Sequence, residues 1–140
     1  MRSIDKIIIH CSATQEGREI SAATIDKWHK KRGWRGIGYH YVIGLDGMIE
    51  YGRPITETGA HVKGHNKGSI GICYIGGVEA EKKNDKWIAK DTRTPKQIAT
   101  LLELLRVLKK LHPTATIHGH NEFAAKSCPC FDVQAEYCNL

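Results

Sequence analysis

No stretch of this 140-residue chain approaches the ~20 consecutive apolar residues that crossing a bilayer requires. The amino-terminal segment, MRSIDKIIIHCSAT, does not read as a secretory leader. Its apolar centre is only Ile7 to Ile9, and Asp5 interrupts the approach to it. These absences predict synthesis in the cytoplasm and no membrane partner. A substrate outside the membrane would then need separate release of the protein. Internal repeats, low-complexity tracts and linkers are missing too, which predicts one domain over 1–140. No block of like charge reads as a nucleic-acid tail, so no nucleic-acid partner is expected. There is no H-E-x-x-H and no pair of C-x-x-C knuckles, so the most explicit zinc signatures are absent.

What is present is ordinary in bulk and unusual in detail. Hydrophobic content of 41% and charged content of 26% describe a globular domain with a core large enough to do without disulfide staples. The net charge of +6 favours polyanions such as nucleic acid, anionic membranes or an anionic cell wall, or simply a solvated basic surface. Five cysteines cannot all pair within a monomer. In a cytoplasmic protein, cysteines near histidines point to metal or catalysis before disulfides.

The pattern along the chain mixes strands and helices without strict βαβ alternation. It predicts an α/β (mixed α+β) fold with a central mixed sheet flanked by helices. The β-branched run in Lys6–His10 predicts a buried central strand. Ser21 caps a helix to about Arg32, with Ile25 and Trp28 on its apolar face. YHYVI (Tyr39–Ile43) and MIEY (Met48–Tyr51) form a hairpin that turns at Asp46–Gly47. SIGICYI (Ser69–Ile75) is a further strand, stopped by Gly76–Gly77. Val78 to Arg93 reads mostly as loop. Thr94-Pro95-Lys96-Gln97 combines a threonine cap, a proline at the first helical position and a capping-box glutamine. Ile98, Leu101, Leu102, Leu105, Leu108 and Leu111 follow at helical spacing. Thr114–His118 predicts a last strand, and Asp132–Tyr137 a short closing helix.

Two histidines fall at strand ends, His10 on the first strand and His120 just past the last, where open α/β sheets gather their sites. Cys128 lies on the loop returning from His120, inside KSCPCFD (Lys126–Asp132). By itself that stretch is open to four readings: a disulfide clip, a redox motif, a metal site or buried packing. Two imidazoles and one thiolate make a catalytic zinc set with a fourth position free for water. The alternative is a strand-end histidine beside a small buried thiol.

Taken together, HCSAT (His10–Thr14), GWRGIGYHYVIGLDG (Gly33–Gly47), GAHVKGHN (Gly59–Asn66), SIGICYIGG (Ser69–Gly77) and HNEFAAKSCPCFD (His120–Asp132) resemble one family in order and over nearly the whole chain. It is the zinc-dependent N-acetylmuramoyl-L-alanine amidases of type 2, which share a fold with peptidoglycan recognition proteins. The likeness is strong to the amidase-type lysozymes of T-odd phages. The resemblance implies one Zn2+ per chain held by His10, His120 and Cys128, and catalytic roles for Tyr39 and Lys126. It places His61 near the substrate groove, where Trp34 and Arg35 are further candidates for substrate binding. The implied reaction is hydrolysis of the amide joining the lactyl group of N-acetylmuramic acid to L-alanine in peptidoglycan, by a phage or prophage endolysin acting as a monomer. Cys130 departs from the pattern, since those lysozymes carry serine there. Competing for zinc, pairing with another thiol and plain packing are its three readings.

The remaining candidates are weighed by geometry. Cys11 follows His10 on a strand and so faces the opposite side, as packing. Cys73 reads as core and Cys138 as a free thiol. His29, His65 and His112 read as surface, and Glu122 as a carboxylate behind the site. Two other functions compete with the amidase. One is a recognition module that binds peptidoglycan without cutting it, disfavoured by the presence of Cys128, Tyr39 and Lys126. The other is a regulator that binds a phage-type RNA polymerase, weakened by the short segment ahead of HCSAT.

Overall fold

The computed structural model describes residues 2–140. Its centre is a five-stranded sheet in the order β4-β3-β5-β1-β7. The strands are β1 (Lys6–Cys11), β3 (Tyr41–Ile43), β4 (Ile49–Tyr51), β5 (Ser69–Tyr74) and β7 (Thr116–Gly119). A two-stranded piece joins β2 (Thr14–Gln15) to β6 (Gly77–Val78). The β3–β4 pair is antiparallel, and β3–β5, β5–β1 and β1–β7 are parallel, so the sheet is mixed as expected. β6 was not foreseen: the glycines that end β5 also start it.

Alternation along the strands builds two different faces. Ile7, Ile9, Ile43, Ile70, Ile72, Tyr74 and Ile117 point to one face and form the main core with α2 (Pro95–Leu111) and α3 (Val133–Tyr137). The opposite face is covered by α1 (Ala22–Lys31). There Val42 packs with Ile20, Ala22, Ile25, Ile37 and Ile75. β1 and β5 are buried on both faces, which explains their unbroken apolar character.

The helix signals hold in detail. Ser21 accepts the Thr24 N–H, and Thr94 with Gln97 completes a capping box behind Pro95. Asp132 caps α3. The apolar stripe of α2 is rotated from the expected one. Leu101, Leu104, Leu105 and Leu108 are buried, whereas Ile98 and Leu111 are exposed. The reason is Gln97. Its side chain is fully buried and donates to Ile75 O (2.9 Å) and Ile43 O (3.3 Å), setting the helix azimuth from its first turn. No helix among the described residues is long and apolar enough to cross a membrane.

Candidate metal centre and active site

The site stands at the carboxyl ends of β1 and β7, on the α1 side of the sheet. Ile9 pairs with Gly119, so His120, the next residue, reaches the level of His10. His120 opens a single 3-10 turn (His120–Glu122), and the loop that follows brings Cys128 back to β1. The Cys11 N–H donates to Cys128 Sγ (3.2 Å), fastening that loop to the end of β1.

Among the described residues, one group of side chains is close enough to hold a metal ion: His10, His120 and Cys128, with ligand atoms all within 4.8 Å of one another. His10 Nδ1 lies 3.2 Å from His120 Nδ1 and 3.8 Å from Cys128 Sγ. Tetrahedral zinc, with bonds of about 2.0–2.1 Å to nitrogen and about 2.3 Å to sulfur, spaces two nitrogens about 3.3 Å apart and nitrogen from sulfur about 3.6 Å. The donor set therefore fits zinc in kind and in size. Burial, then His61, His120 and Lys126, pushes His10 well below its ordinary pKa. Burial and then Lys126 lower His120. Both imidazoles are thus neutral near pH 7, with lone pairs available to a cation.

The other expected residues divide. The Tyr39 ring lies 5.1 Å from that of His10, so it stands beside the donor set. Burial, reinforced by the Cys73 and Cys128 thiols, raises its hydroxyl well above the ordinary value and keeps the proton on it. Lys126 is exposed and borders two grooves. One, of about 530 Å³, runs past Arg18, Trp87, Cys128 and Cys130. The other, of about 710 Å³, runs past Arg32, Trp34, Lys63, His120 and Phe123. The two share Lys126 as a common wall.

Trp34 lines the second groove, its ring tilted at 59° to that of His29 with centroids 4.6 Å apart. Arg35 does not join it. Its guanidinium pairs with Glu57 and borders a separate small pocket with Asp26 and Arg53. His61 touches the same groove, yet only 9% of it is exposed and both ring nitrogens are engaged inward. Its Nδ1 is 2.8 Å from His10 Nε2 and its Nε2 is 3.1 Å from Ser69 Oγ.

One single-residue reading is corrected, and two others are made definite. His29 is buried rather than on the surface, and its Nδ1 accepts the Gly38 N–H at 2.9 Å. Glu122 lies outside the donor set, behind it as expected. It accepts the Gly119 N–H (2.7 Å) and pairs with His118 (2.8 Å), closing the turn that carries His120. Cys130 Sγ sits 3.9 Å from Cys11 Sγ, outside the metal-sized group. The hydrogen bond with Cys11 comes first, then burial, in raising the Cys130 thiol. Ser69 and Asn66 were missed altogether. The available signal was Gly71 in the interior of β5, since a strand glycine marks a close approach. A Cβ there would meet the His61 ring at 2.7 Å.

Residues 1–131 match the family model of N-acetylmuramoyl-L-alanine amidase. The chain belongs to the N-acetylmuramoyl-L-alanine amidase family. The endolysin of Escherichia phage T7 is 39% identical over 132 residues, covering 94% of this chain and 84% of the relative. Among solved structures, the N-acetylmuramoyl-L-alanine amidase LysC from Clostridium intestinale URNW superposes with a TM-score of 0.76. It is 30% identical, over 91% of this chain and 77% of its own. Bumblebee PGRP-SA superposes with a TM-score of 0.77 at 27% identity, over 99% and 83% of the two chains. The amidase fold therefore extends to recognition proteins.

Proposed function

We propose that this amidase is an endolysin that hydrolyses the bond between the lactyl group of N-acetylmuramic acid and the L-alanine of the peptidoglycan stem, as one domain over residues 1–140. We further propose that it binds one zinc ion through His10, His120 and Cys128. The observation that carries the reading is the convergence of a zinc-sized donor set, a protonated tyrosine and an exposed lysine shared by two grooves, in a chain of the amidase family. When bound, zinc would supply a Lewis acid and lower the pKa of a bound water toward about 7.

The chain's own groups supply the rest. The Lys126 ammonium stands in the wall common to both grooves, where the scissile carbonyl would lie. A fixed positive charge there stabilises the oxyanion of a tetrahedral intermediate. Tyr39 holds its hydroxyl proton and can orient water or pass a proton toward the leaving amine. Trp34 gives the larger groove an apolar wall. Arg18, Arg32 and Lys63 place positive charge along the two grooves, suited to the carboxylates of a stem peptide. Peptidoglycan lies outside the cytoplasmic membrane, so the enzyme works after release to the wall. The expectation of an RNA polymerase partner gains no support and is not part of this proposal.

The deciding experiment is mass spectrometry of purified peptidoglycan digested by the zinc-loaded protein. Stem peptides with a free L-alanine amine, beside intact glycan strands, are expected, and chelation should abolish them. Binding to the wall without release would replace the enzyme by a recognition module.

A further inference from the structure

We propose that His61 is a positioning residue for the metal centre, one that sets the tautomer and the ring orientation of His10 through a buried relay ending at the Asn66 carbonyl. The proposal rests on the zinc amidase reading and assigns His61 to the metal centre rather than to substrate contact.

A neutral imidazole carries one ring proton. His10 directs Nδ1 toward His120 and Cys128 and Nε2 toward His61 Nδ1, 2.8 Å away. For Nδ1 to present a lone pair to a cation, the proton must sit on Nε2. His61 Nδ1 must then accept it, which puts the His61 proton on its own Nε2. That proton points at Ser69 Oγ, 3.1 Å away, and the Ser69 hydroxyl has Asn66 O at 3.0 Å. Every link then pairs one donor with one acceptor, all running in the same direction. A carbonyl oxygen only accepts, so the Ser69 proton committed to Asn66 fixes the direction of the whole chain. With the direction reversed, the Ser69 hydroxyl would donate to His61 and the His10 proton would end on Nδ1, where it blocks the ligand position.

The surroundings hold His61 to this task. Its ring meets that of His10 edge-on at 89° with centroids 4.9 Å apart. Asn66 Oδ1 accepts the His61 and Val62 N–H groups at 2.8 Å each, which pins the backbone below the ring. Gly59 and Gly71 provide its space, since a Cβ on either would approach the ring to 2.7 Å. Histidines that ligate metals commonly have the second nitrogen fixed by such a partner, and loss of the partner weakens metal binding by about 10–100-fold. Here the partner is another histidine, so the relay is uncharged and suits a site buried beside a cationic lysine.

The test is the zinc affinity of the full chain, measured by competition with a chromophoric chelator. His61→Leu should bind zinc about 10–100-fold more weakly than the parent. His61→Asn, whose side-chain oxygen can accept from His10 Nε2, should recover most of that loss, and Ser69→Ala should shift affinity in the same direction as His61→Leu. Parental affinity in a folded His61→Leu protein overturns the proposal, as does equal weakness of the Leu and Asn variants, which would mark His61 as mere filling. A measurement on the unaltered chain serves if His61→Leu does not fold. Nitrogen-15 NMR of the zinc-free protein should show His10 protonated at Nε2, and protonation at Nδ1 overturns the relay. An unaltered chain that binds no zinc would overturn both the relay and the zinc reading. Failure in the His61 variants alone would leave the zinc reading standing.

Discussion

Cys128 and Cys130 are two residues apart in the chain and differ in what they touch. Cys128 Sγ receives the Cys11 N–H and faces His10 Nδ1. Cys130 Sγ contacts the Cys11 thiol and donates to Gly77 O at 3.3 Å. Cys128→Ser should therefore lose stoichiometric zinc in metal analysis while Cys130→Ser keeps it, and the opposite result would transfer the ligand role to Cys130. The strand-end placing of His10 and His120 was legible from local features, whereas Cys128 was singled out from the other readings of KSCPCFD by the family resemblance. The contents of the space behind His10 were not legible. Gly59 in a loop, and Ser69 and Gly71 on one face of β5, make room for His61 and bind it, and no spacing rule connects that strand to His10. Arg35 shows the converse: next to Trp34 in sequence, it is drawn off by Glu57, 22 residues away.

Helix α2 is governed by its first turn. Thr94 Oγ1 accepts the Gln97 N–H and donates to Leu45 O at 2.8 Å. Gln97 returns a carbonyl to the Thr94 N–H and extends its amide to the ends of β3 and β5. The capping box was plain from Thr94-Pro95-Lys96-Gln97. The second job of Gln97, fastening helix to sheet, was not, because it depends on where β3 and β5 end beside one another. Gln97→Leu keeps the volume but strands the Thr94 N–H and the Ile75 carbonyl inside the protein. It should destabilise the fold by about 1–3 kcal/mol, read as a lower urea midpoint at unchanged slope. An unchanged midpoint would show that the helix is held by its leucines alone.

At the scale of the whole molecule, buried neutral histidines make the fold sensitive to acid. His29 accepts the Gly38 N–H and His40 the Gly71 N–H, so both hold a backbone segment of the α1 side while unprotonated. Burial is the main cause that pushes each down to about 4. In the unfolded chain a histidine titrates near 6.5. Between these values the unfolded state binds the extra protons, so stability is full above about pH 6.5 and falls as the pH drops toward about 4, with no further contribution from these two groups below that. Urea midpoints of the zinc-free protein, taken in steps through this window, should fall steadily. A flat response would place both histidines in contact with solvent.

The amino-acid sequence alone determined most of the strands and helices, the residues that cap them and the placing of His10 and His120 at strand ends. Those properties follow from alternation, helical period and capping chemistry, all of which act over a few residues. The tertiary structure alone decided that β5 lies between β3 and β1, and so that Gly71 and Ser69 come up against His61 and His61 against His10. The same sheet order buried His29 behind Tyr39 and set Cys130 against Cys11. These outcomes depend on strand order and on packing between distant segments, where contact is decided by shape and by the pairing of buried polar groups rather than by neighbours in the chain.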